Sequence, residues 1–407
     1  MRVYGSSAIR NVAFVGHGAA GKTTLVDALA FVSGSSKRHG NTQDGTTLTD
    51  YSADEIERKH SISLGVGFAE WMDAKLNLLD APGFLDFLGE ATAALYSADA
   101  AVVVLNATGG VEVGTEKVWE ICDRLHLPRL IFVTQMDRER ANFDRVFEDV
   151  KTHLSPKVVP VEIPVGNGAE FHGIVNLLTD ETQLYRKGTK SGEFDTGPLP
   201  DAVKETYQKY HEQLVEAIAA TDDALLEKYL GGEEVTRGEI VQALKKGVLA
   251  GEVVPMLVGS STLTYGTRAL LTDMVELLPS PLEAPIPDQA GDHGGSPLLG
   301  RVFKTVSEPH VGDVTLFRLY RGGVKNGEEV WNHEHSVAEK LSHLSVQQGK
   351  ERIEVGELHP GDIGSVAKLK DSHTNDTFCR KDHAAHLAPI PYPEAVATSG
   401  VVVKNRG

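Results

Sequence analysis

Gly16-His17-Gly18-Ala19-Ala20-Gly21-Lys22-Thr23 decides how the first part of this chain is read. The stretch fits G-x-x-x-x-G-K-[ST], a loop whose successive backbone N–H groups curl inward around phosphate oxygens. Glycine permits the curl. Lys22 can reach the β and γ phosphates of a nucleotide, and the Thr23 hydroxyl can ligate Mg²⁺. A helix opening at Thr24 would aim its positive end at the anion. The motif requires a strand before it and a helix after it. Residues 11–15 form an apolar strand, and Leu25, Ala28, Leu29 and Val32 recur on one helical face.

Outward from this loop the same alternation continues. Residues 76–79, 101–105 and 130–133 read as buried strands. Val118, Ile121, Cys122 and Leu125 share a helical face, as do Phe143, Val146, Phe147, Val150 and Leu154. Strands alternating with helices predict an α/β domain with a mostly parallel sheet and helices on both faces. From about 157 to 250 the pattern changes to strand-like runs (158–165, 183–186) and then helices. Tyr207, Tyr210, Leu214 and Ile218 lie on one face, and Thr236 and Glu239 have capping-box spacing. This middle part reads as an α+β insert between the fifth and sixth strands of the first domain. The domain resumes with a strand at 253–258 and a helix ending at Pro279.

The expected division is a first domain over 1–282, a Pro-, Gly- and Asp-rich linker over 283–297, and a second domain over 298–388. In the second domain the helical period disappears. Residues 314–320 and 328–331 flank an Asn326-Gly327 turn, and Pro360-Gly361-Asp362 precedes a run at 363–369, as in a small antiparallel β-barrel or sandwich. Residues 389–407 read as the start of a following domain, with a strand opening over 394–404.

The 407 residues carry a net charge of −17, with 41% hydrophobic and 24% charged residues. That balance is ordinary for a soluble globular protein and disfavours a nonspecific coat on DNA or other nucleic acid, which needs a basic face. No apolar run approaches the ~20 residues of a membrane helix, and the N-terminus lacks signal-peptide order. A soluble cytoplasmic monomer is therefore expected. Cys122 and Cys379 are far apart and show no metal-type spacing. His333 and His335 have no third ligand near them in the chain and read as exposed loop histidines.

A second phosphate-site element follows the loop by about sixty residues. Asp80 closes a strand and is followed by Ala81-Pro82-Gly83. Such an aspartate can hold Mg²⁺ through water, and the Gly83 N–H can meet a γ-phosphate. Between the two elements lies a polar, mobile-looking segment, 50–63. Ser61 in it is a candidate second hydroxyl for Mg²⁺, against the competing reading of a solvated loop serine.

In this order the motifs resemble the translational GTPases, elongation factor G most closely. Glu57-Arg58-Lys59-His60-Ser61-Ile62 stands where that family has E-R-G-I-T-I, and Asp80-Ala81-Pro82-Gly83-Phe84-Leu85-Asp86-Phe87 where it has D-T-P-G-H-V-D-F. Gln135-Met136-Asp137-Arg138, preceded by Thr134, resembles N-K-M-D-R. Gly259-Ser260-Ser261 resembles the G-S-A segment that cradles the base. Ile163-Pro164-Val165-Gly166 and Phe171-His172-Gly173-Ile174 are similar to the extra subdomain of factor G. Val311-Gly312 and Pro360-Gly361-Asp362-Ile363-Gly364 are similar to its second domain. Three further domains of that family would follow this point.

The resemblance implies binding of GTP and GDP with Mg²⁺, and a ribosomal partner of rRNA and protein. It implies nucleotide contacts from residues 16–24, from Asp80, Ala81, Pro82, Gly83 and Phe84, and from Thr134, Gln135, Asp137, Ser260 and Ser261. It implies Mg²⁺ ligation through Thr23, Ser61 and Asp80, and catalytic roles for Lys22 and Gly83. It also exposes departures. Phe84 stands where the family has the histidine that orients the attacking water, and phenylalanine has no hydrogen-bonding atom for that task. Gly18 and His60 occupy the places of two apolar gate residues, and Ala19 replaces an aspartate. Thr134 and Gln135 replace the Asn and Lys that read and stack on guanine, while Asp137 keeps the carboxylate that discriminates guanine from adenine. His60, in the segment that would close over the γ-phosphate, is a candidate to replace the missing histidine. Three functions compete: a GTP-hydrolysing ribosomal factor, a ribosome-docking switch with negligible hydrolysis, and a nucleotide binder of relaxed base preference.

Overall fold

The computed structural model describes residues 2–231, 236–286, 297–308, 311–395 and 397–402. Most of the expected linker, 287–296, lies outside the described residues. The expected strand over 394–404 lies partly outside them, and residues 394–395 and 397–402 form no strand.

The first domain is built on a seven-stranded sheet. Its strands are β1 (Ile9–Val15), β2 (Gly65–Trp71), β3 (Ala74–Asp80), β4 (Ala100–Asn106), β5 (Arg129–Thr134), β6 (Val158–Pro160) and β11 (Val254–Val258), in the order β2-β3-β1-β4-β5-β11-β6. All neighbours pair in parallel except β2 with β3. β1 to β5 and β11 are almost wholly buried, which is why the sequence shows continuous apolar runs rather than alternation. The helices are α1 (Lys22–Val32), α2 (Ala53–Arg58), α3 (Leu88–Ser97), α4 (Val113–Arg124), α5 (Phe143–His153), α6 (Lys204–Ala219), α7 (Asp223–Leu230), α8 (Arg237–Leu249) and α9 (Thr267–Leu277). α1 packs with α9, and α3 with α4.

The run at 158–165 divides into two strands. Val158–Pro160 extends the main sheet beyond β11, whereas β7 (Glu162–Val165) opens a second, antiparallel sheet. That sheet continues through β8 (Gly173–Asn176), β9 (Glu181–Tyr185) and β10 (Phe194–Gly197). α6 anchors the following helices by packing Tyr210 edge-on against Phe143 and Phe147 of α5. The capping box over Thr236 and Glu239 forms as expected at the start of α8.

The second domain is antiparallel throughout. β12 (Leu299–Glu308), β13 (Gly312–Arg321), β15 (Glu329–Asn332), β16 (Val337–Lys340), β17 (Ser345–Gln348), β18 (Glu351–Glu354), β20 (Ile363–Ala367) and β21 (Thr377–Cys379) pair in the order β16-β15-β21-β12-β13-β20-β17-β18. The short β14 (Val324–Lys325) and β19 (Glu357–Leu358) pair with each other. These pairings run from β16 to β18 without joining the two edges, so the structure gives an antiparallel sheet where the turn spacing suggested a barrel or sandwich. Gly327 (φ 80°) and Gly361 (φ 91°) hold the left-handed conformations that their turns demand.

A buried polar chain joins the domains. Lys75 Nζ lies 2.7 Å from Asp362 Oδ1, which also accepts from Asn77. Asn77 donates to Asn11, and Asn11 to Asp99 and to the Gly361 carbonyl. Asp99 in turn pairs with Arg318. Gln348 caps the edge strand β2, accepting from the Phe68 N–H at 2.7 Å and donating to the Phe68 and Ser35 carbonyls. Lys304 of β12 donates to Ser63 and to the Leu64 carbonyl, with Glu90 of α3 at 3.5 Å.

Asp273 on α9 and Glu162 on β7 are buried carboxylates, each with one oxygen lacking a partner. Burial pushes the Asp273 carboxyl up to about 7, helped by negative Glu276. Burial likewise raises Glu162 well above the usual range, with Asp273 adding to the effect. The folded state then keeps protons that the unfolded chain releases from about pH 4 upward, so stability falls as pH rises toward 7. Asp273→Asn should lessen that fall, by up to a few kcal/mol between pH 5 and pH 8, measured by urea unfolding of both chains at the two pH values. An equal fall in both chains would refute the assignment.

Candidate functional site

The C-terminal ends of β1 and β3 lie side by side because the strands pair in register, Phe14 opposite Asp80. The loop after β1 and the Asp-x-x-Gly turn after β3 therefore open into the same place. This is where the strand order switches direction, the usual ligand crevice of such sheets. A cleft of about 730 Å³ occupies it.

Glycine is required where the chain turns. A Cβ at Gly16 (φ 144°) would meet the Val104 carbonyl at 2.4 Å, and one at Gly83 would meet Lys22 Nζ at 2.2 Å and the His17 carbonyl at 2.5 Å. Lys22 is buried and bonds only backbone, donating to the Gly16 and His17 carbonyls at 3.1 and 2.8 Å. Burial pushes its ammonium down to about 8, opposed by Asp80 and Asp50. His17 is fixed from outside the loop. Its Nδ1 accepts from the Gly114 N–H at 3.2 Å, and its Nε2 lies 3.5 Å from Glu112.

Thr23 and Ser61 meet, their hydroxyl oxygens 2.9 Å apart. Ser61 is buried, so the solvated-loop reading of it fails. The segment 50–63 is also more ordered than its polarity suggests. α2 forms within it behind a Ser52–Glu55 capping box, and the Glu55 carboxylate accepts from the Ile62 and Ser63 N–H groups. The S-x-x-E spacing is the sequence signal for that helix.

Asp80 is 1% exposed. Its Oδ2 accepts from Thr49 at 2.5 Å, while its Oδ1 is buried with no partner. Burial raises its carboxyl to about 6, and burial together with Asp80 raises Asp50 to about 7. Two buried carboxylates, an orphaned oxygen and two converging hydroxyls form a hard oxygen donor set that fits Mg²⁺. Asp50 and Thr49 belong to this group and are absent from the sequence reading, since neither falls in a phosphate-loop motif.

Gly18, Phe84 and His60 touch one another. A Cβ at Gly18 would lie 3.0 Å from the Phe84 ring, so glycine at 18 leaves room for the ring at 84. The His60 ring stands edge-on to Phe84 with centroids 4.8 Å apart. His60 Nδ1 lies 3.0 Å from the Arg58 carbonyl. A carbonyl only accepts, so Nδ1 carries the proton and Nε2 keeps a lone pair.

At the other end of the cleft Thr134 Oγ1 lies 2.7 Å from Ser261 Oγ and accepts from the Ser261 N–H. Gln135 (φ 64°) donates to the Ala19 carbonyl at 3.1 Å and ties this end to the phosphate loop. Gly18, Ala19, Gly21, Lys22, Thr23, Thr24, His60, Ser61, Gly83, Phe84, Thr134, Gln135 and Ser261 line the cleft. Of the remaining candidates, Gly16, His17, Ala20, Ala81 and Pro82 shape its floor and turns, and Ser260 is buried behind Ser261. Asp137 is half-buried beside Arg138 and is not on the lining.

A parallel sheet with this loop, this aspartate turn and this base-side end defines a P-loop GTPase. Residues 7–280 match the elongation factor Tu GTP-binding domain, and residues 297–381 match elongation factor G domain 2. The chain belongs to the translational GTPase family of elongation factors Tu and G, and GTP or GDP is the nucleotide that membership implies. It is similar to a protein of Thermus thermophilus whose crystal structure aligns with TM-score 0.84 at 34% identity, over 93% of this chain and 55% of that one. The chain thus spans about half the length of that relative. Among the described residues no helix is long and apolar enough to cross a membrane.

Gly83→Ala should weaken GDP binding by about tenfold or more, because the new methyl group displaces the Lys22 ammonium. Titration of a fluorescent GDP reads this, and unchanged affinity would show that Gly83 does not set the cradle.

Proposed function

We propose that this chain binds GTP and GDP with Mg²⁺ and hydrolyses GTP when the factor docks on the ribosome. The observation that carries the reading is the intact phosphate side of the cleft, where Lys22 packs against the Gly83 turn and the Thr23, Ser61 and Asp80 oxygens converge. Thr23, Ser61 and Asp80 would hold the Mg²⁺, with Asp50 beside them. A cation held by these oxygens would supply charge neutralisation for phosphoryl transfer. Catalysis of this kind is positioning plus electrostatics. Lys22 and the loop N–H groups bind the phosphates, and the Gly83 N–H meets the γ-phosphate.

His60 takes the part that Phe84 cannot. A water attacks the γ-phosphorus, the bond to the GDP oxygen breaks, and the water proton passes to His60 Nε2, the nitrogen left free by the Arg58 contact. The Phe84 ring lies edge-on beside the His60 ring. His60→Ala should lower ribosome-stimulated single-turnover hydrolysis by about 10²–10⁴-fold while leaving GDP affinity unchanged. An unchanged rate eliminates His60 as the base.

A second reading is a switch that holds nucleotide and docks without turnover. It is favoured by Phe84, whose ring lies against Gly18 and carries no hydrogen-bonding atom. Absence of hydrolysis by the wild-type factor, with and without ribosomes, would select it. Base preference is a separate question raised by Thr134 and Gln135. Asp137, which keeps the carboxylate that discriminates guanine in the family pattern, supports a retained guanine site. ADP in large excess should therefore fail to displace bound GDP, and displacement would mean relaxed specificity.

A further inference from the structure

The second domain brings together histidines that the chain keeps apart. His335 lies in the turn between β15 and β16, and His373 lies 38 residues later, in the segment that leads into β21. His335 is exposed in this turn, as expected, but the fold supplies partners that its neighbours in the chain do not: His335, His373 and Asp371 offer ligand atoms all within 4.8 Å of one another. His335 Nε2 and His373 Nδ1 are 3.3 Å apart. Two nitrogens on one tetrahedral Zn²⁺ at ~2.0–2.1 Å stand about 3.3–3.4 Å apart, so the two rings already have the spacing of shared ligands.

The carboxylates complete the set. Asp376 Oδ2 lies 3.5 Å from His335 Nε2 and 4.0 Å from His373 Nδ1. Asp371 reaches both rings, with Oδ1 3.7 Å from His373 Nδ1 and Oδ2 3.3 Å from His335 Nδ1.

The backbone beneath these groups is fixed. Asp376 is buried and accepts from Asn332 Nδ2 at 2.8 Å and from the His373 N–H at 2.7 Å. Asn332 also donates to the Asp371 carbonyl and to Ser372. Buried Glu339 holds the Lys370 and Asp371 N–H groups and the Ser372 hydroxyl. Little chain entropy is left to lose when a cation binds.

The geometry points to a Zn²⁺ site formed by His335 Nε2, His373 Nδ1, Asp371 and Asp376, which staples the β15–β16 turn to the segment before β21. Two imidazoles with carboxylates suit Zn²⁺ over Mg²⁺ or Ca²⁺, which prefer all-oxygen sets. The competing account is a metal-free cluster in which His373 Nδ1 and His335 Nε2 share a proton in a ring-to-ring hydrogen bond.

Co²⁺ separates the two accounts, because four-coordinate Co²⁺ absorbs visible light far more strongly than six-coordinate Co²⁺. The chain, stripped with chelator and saturated with Mg²⁺ and GDP, is titrated with CoCl₂ and then with ZnCl₂. The expected result is one equivalent of the intense band, abolished by Zn²⁺, and a melting temperature raised by Zn²⁺. His335→Ala and His373→Ala should each lose the band and bind Zn²⁺ at least about tenfold more weakly. A His333→Ala/His386→Ala chain, which alters a neighbouring histidine pair with ring centroids 5.5 Å apart, should retain both. No intense band in the wild-type chain overturns the proposal without any variant being needed. So does a band that persists in His335→Ala or disappears in the His333→Ala/His386→Ala control.

Discussion

The parallel pairing of β1 with β3 is the constraint on which the nucleotide end of the molecule depends. Register alone sets Phe14 opposite Asp80, and so two turns from distant parts of the chain open at one level. Everything polar in the cleft follows from that alignment. Lys22 can fill the gap beneath Gly83 only because both positions lack obstruction, and Asp80 can remain buried only because Thr49 satisfies one of its oxygens. A slip of one residue would turn each side chain of β3 to the other face of the sheet and remove Asp80 from the site.

Gly18, Phe84 and His60 are physically linked. Gly18 carries no side chain, the Phe84 ring lies against it, and His60 stacks edge-on against Phe84. Aromatic edge contacts of this kind contribute about 0.5–1.5 kcal/mol, enough to bias the resting position of the 50–63 segment. At the other end, Thr134 bonds Ser261, and Gln135 reaches the loop carbonyl at Ala19. Each end of the cleft is a small group of mutually bonded neighbours.

The sequence makes some of this plain and conceals the rest for identifiable reasons. The phosphate loop, the alternation of strands and helices, and the Thr236–Glu239 cap are local, and local signals survive in one dimension. The edge strand β2 and helix α3 are absent from the sequence reading. β2 holds Gly65, Gly67 and Glu70 among its apolar residues, and α3 is Ala-rich with a weak apolar stripe, so neither has a clear period. The split of 158–165 between two sheets is invisible for a different reason: both halves are equally apolar, and only tertiary pairing tells them apart. Asp50 and Thr49 are concealed because a buried Mg²⁺-side carboxylate looks, in sequence, like a solvated one. The meeting of His335 with His373 depends on how β15, β16 and β21 are laid side by side, which no spacing rule encodes.

Lys304 reaches from the second domain to two separate segments of the first. It belongs to the second domain, yet it bonds the chain just after the Ser61 segment and faces Glu90 on the helix that follows the Gly83 turn. Its ammonium is buried, so parting those two segments would leave a charge without its partners, a loss of several kcal/mol. Coupling of this kind is reciprocal. A nucleotide that holds the two segments together tightens the grip of the second domain, and anything that grips the second domain raises the affinity for that nucleotide by the same factor. The lysine thus ties the second domain to both segments that border the cleft, while standing outside the cleft itself.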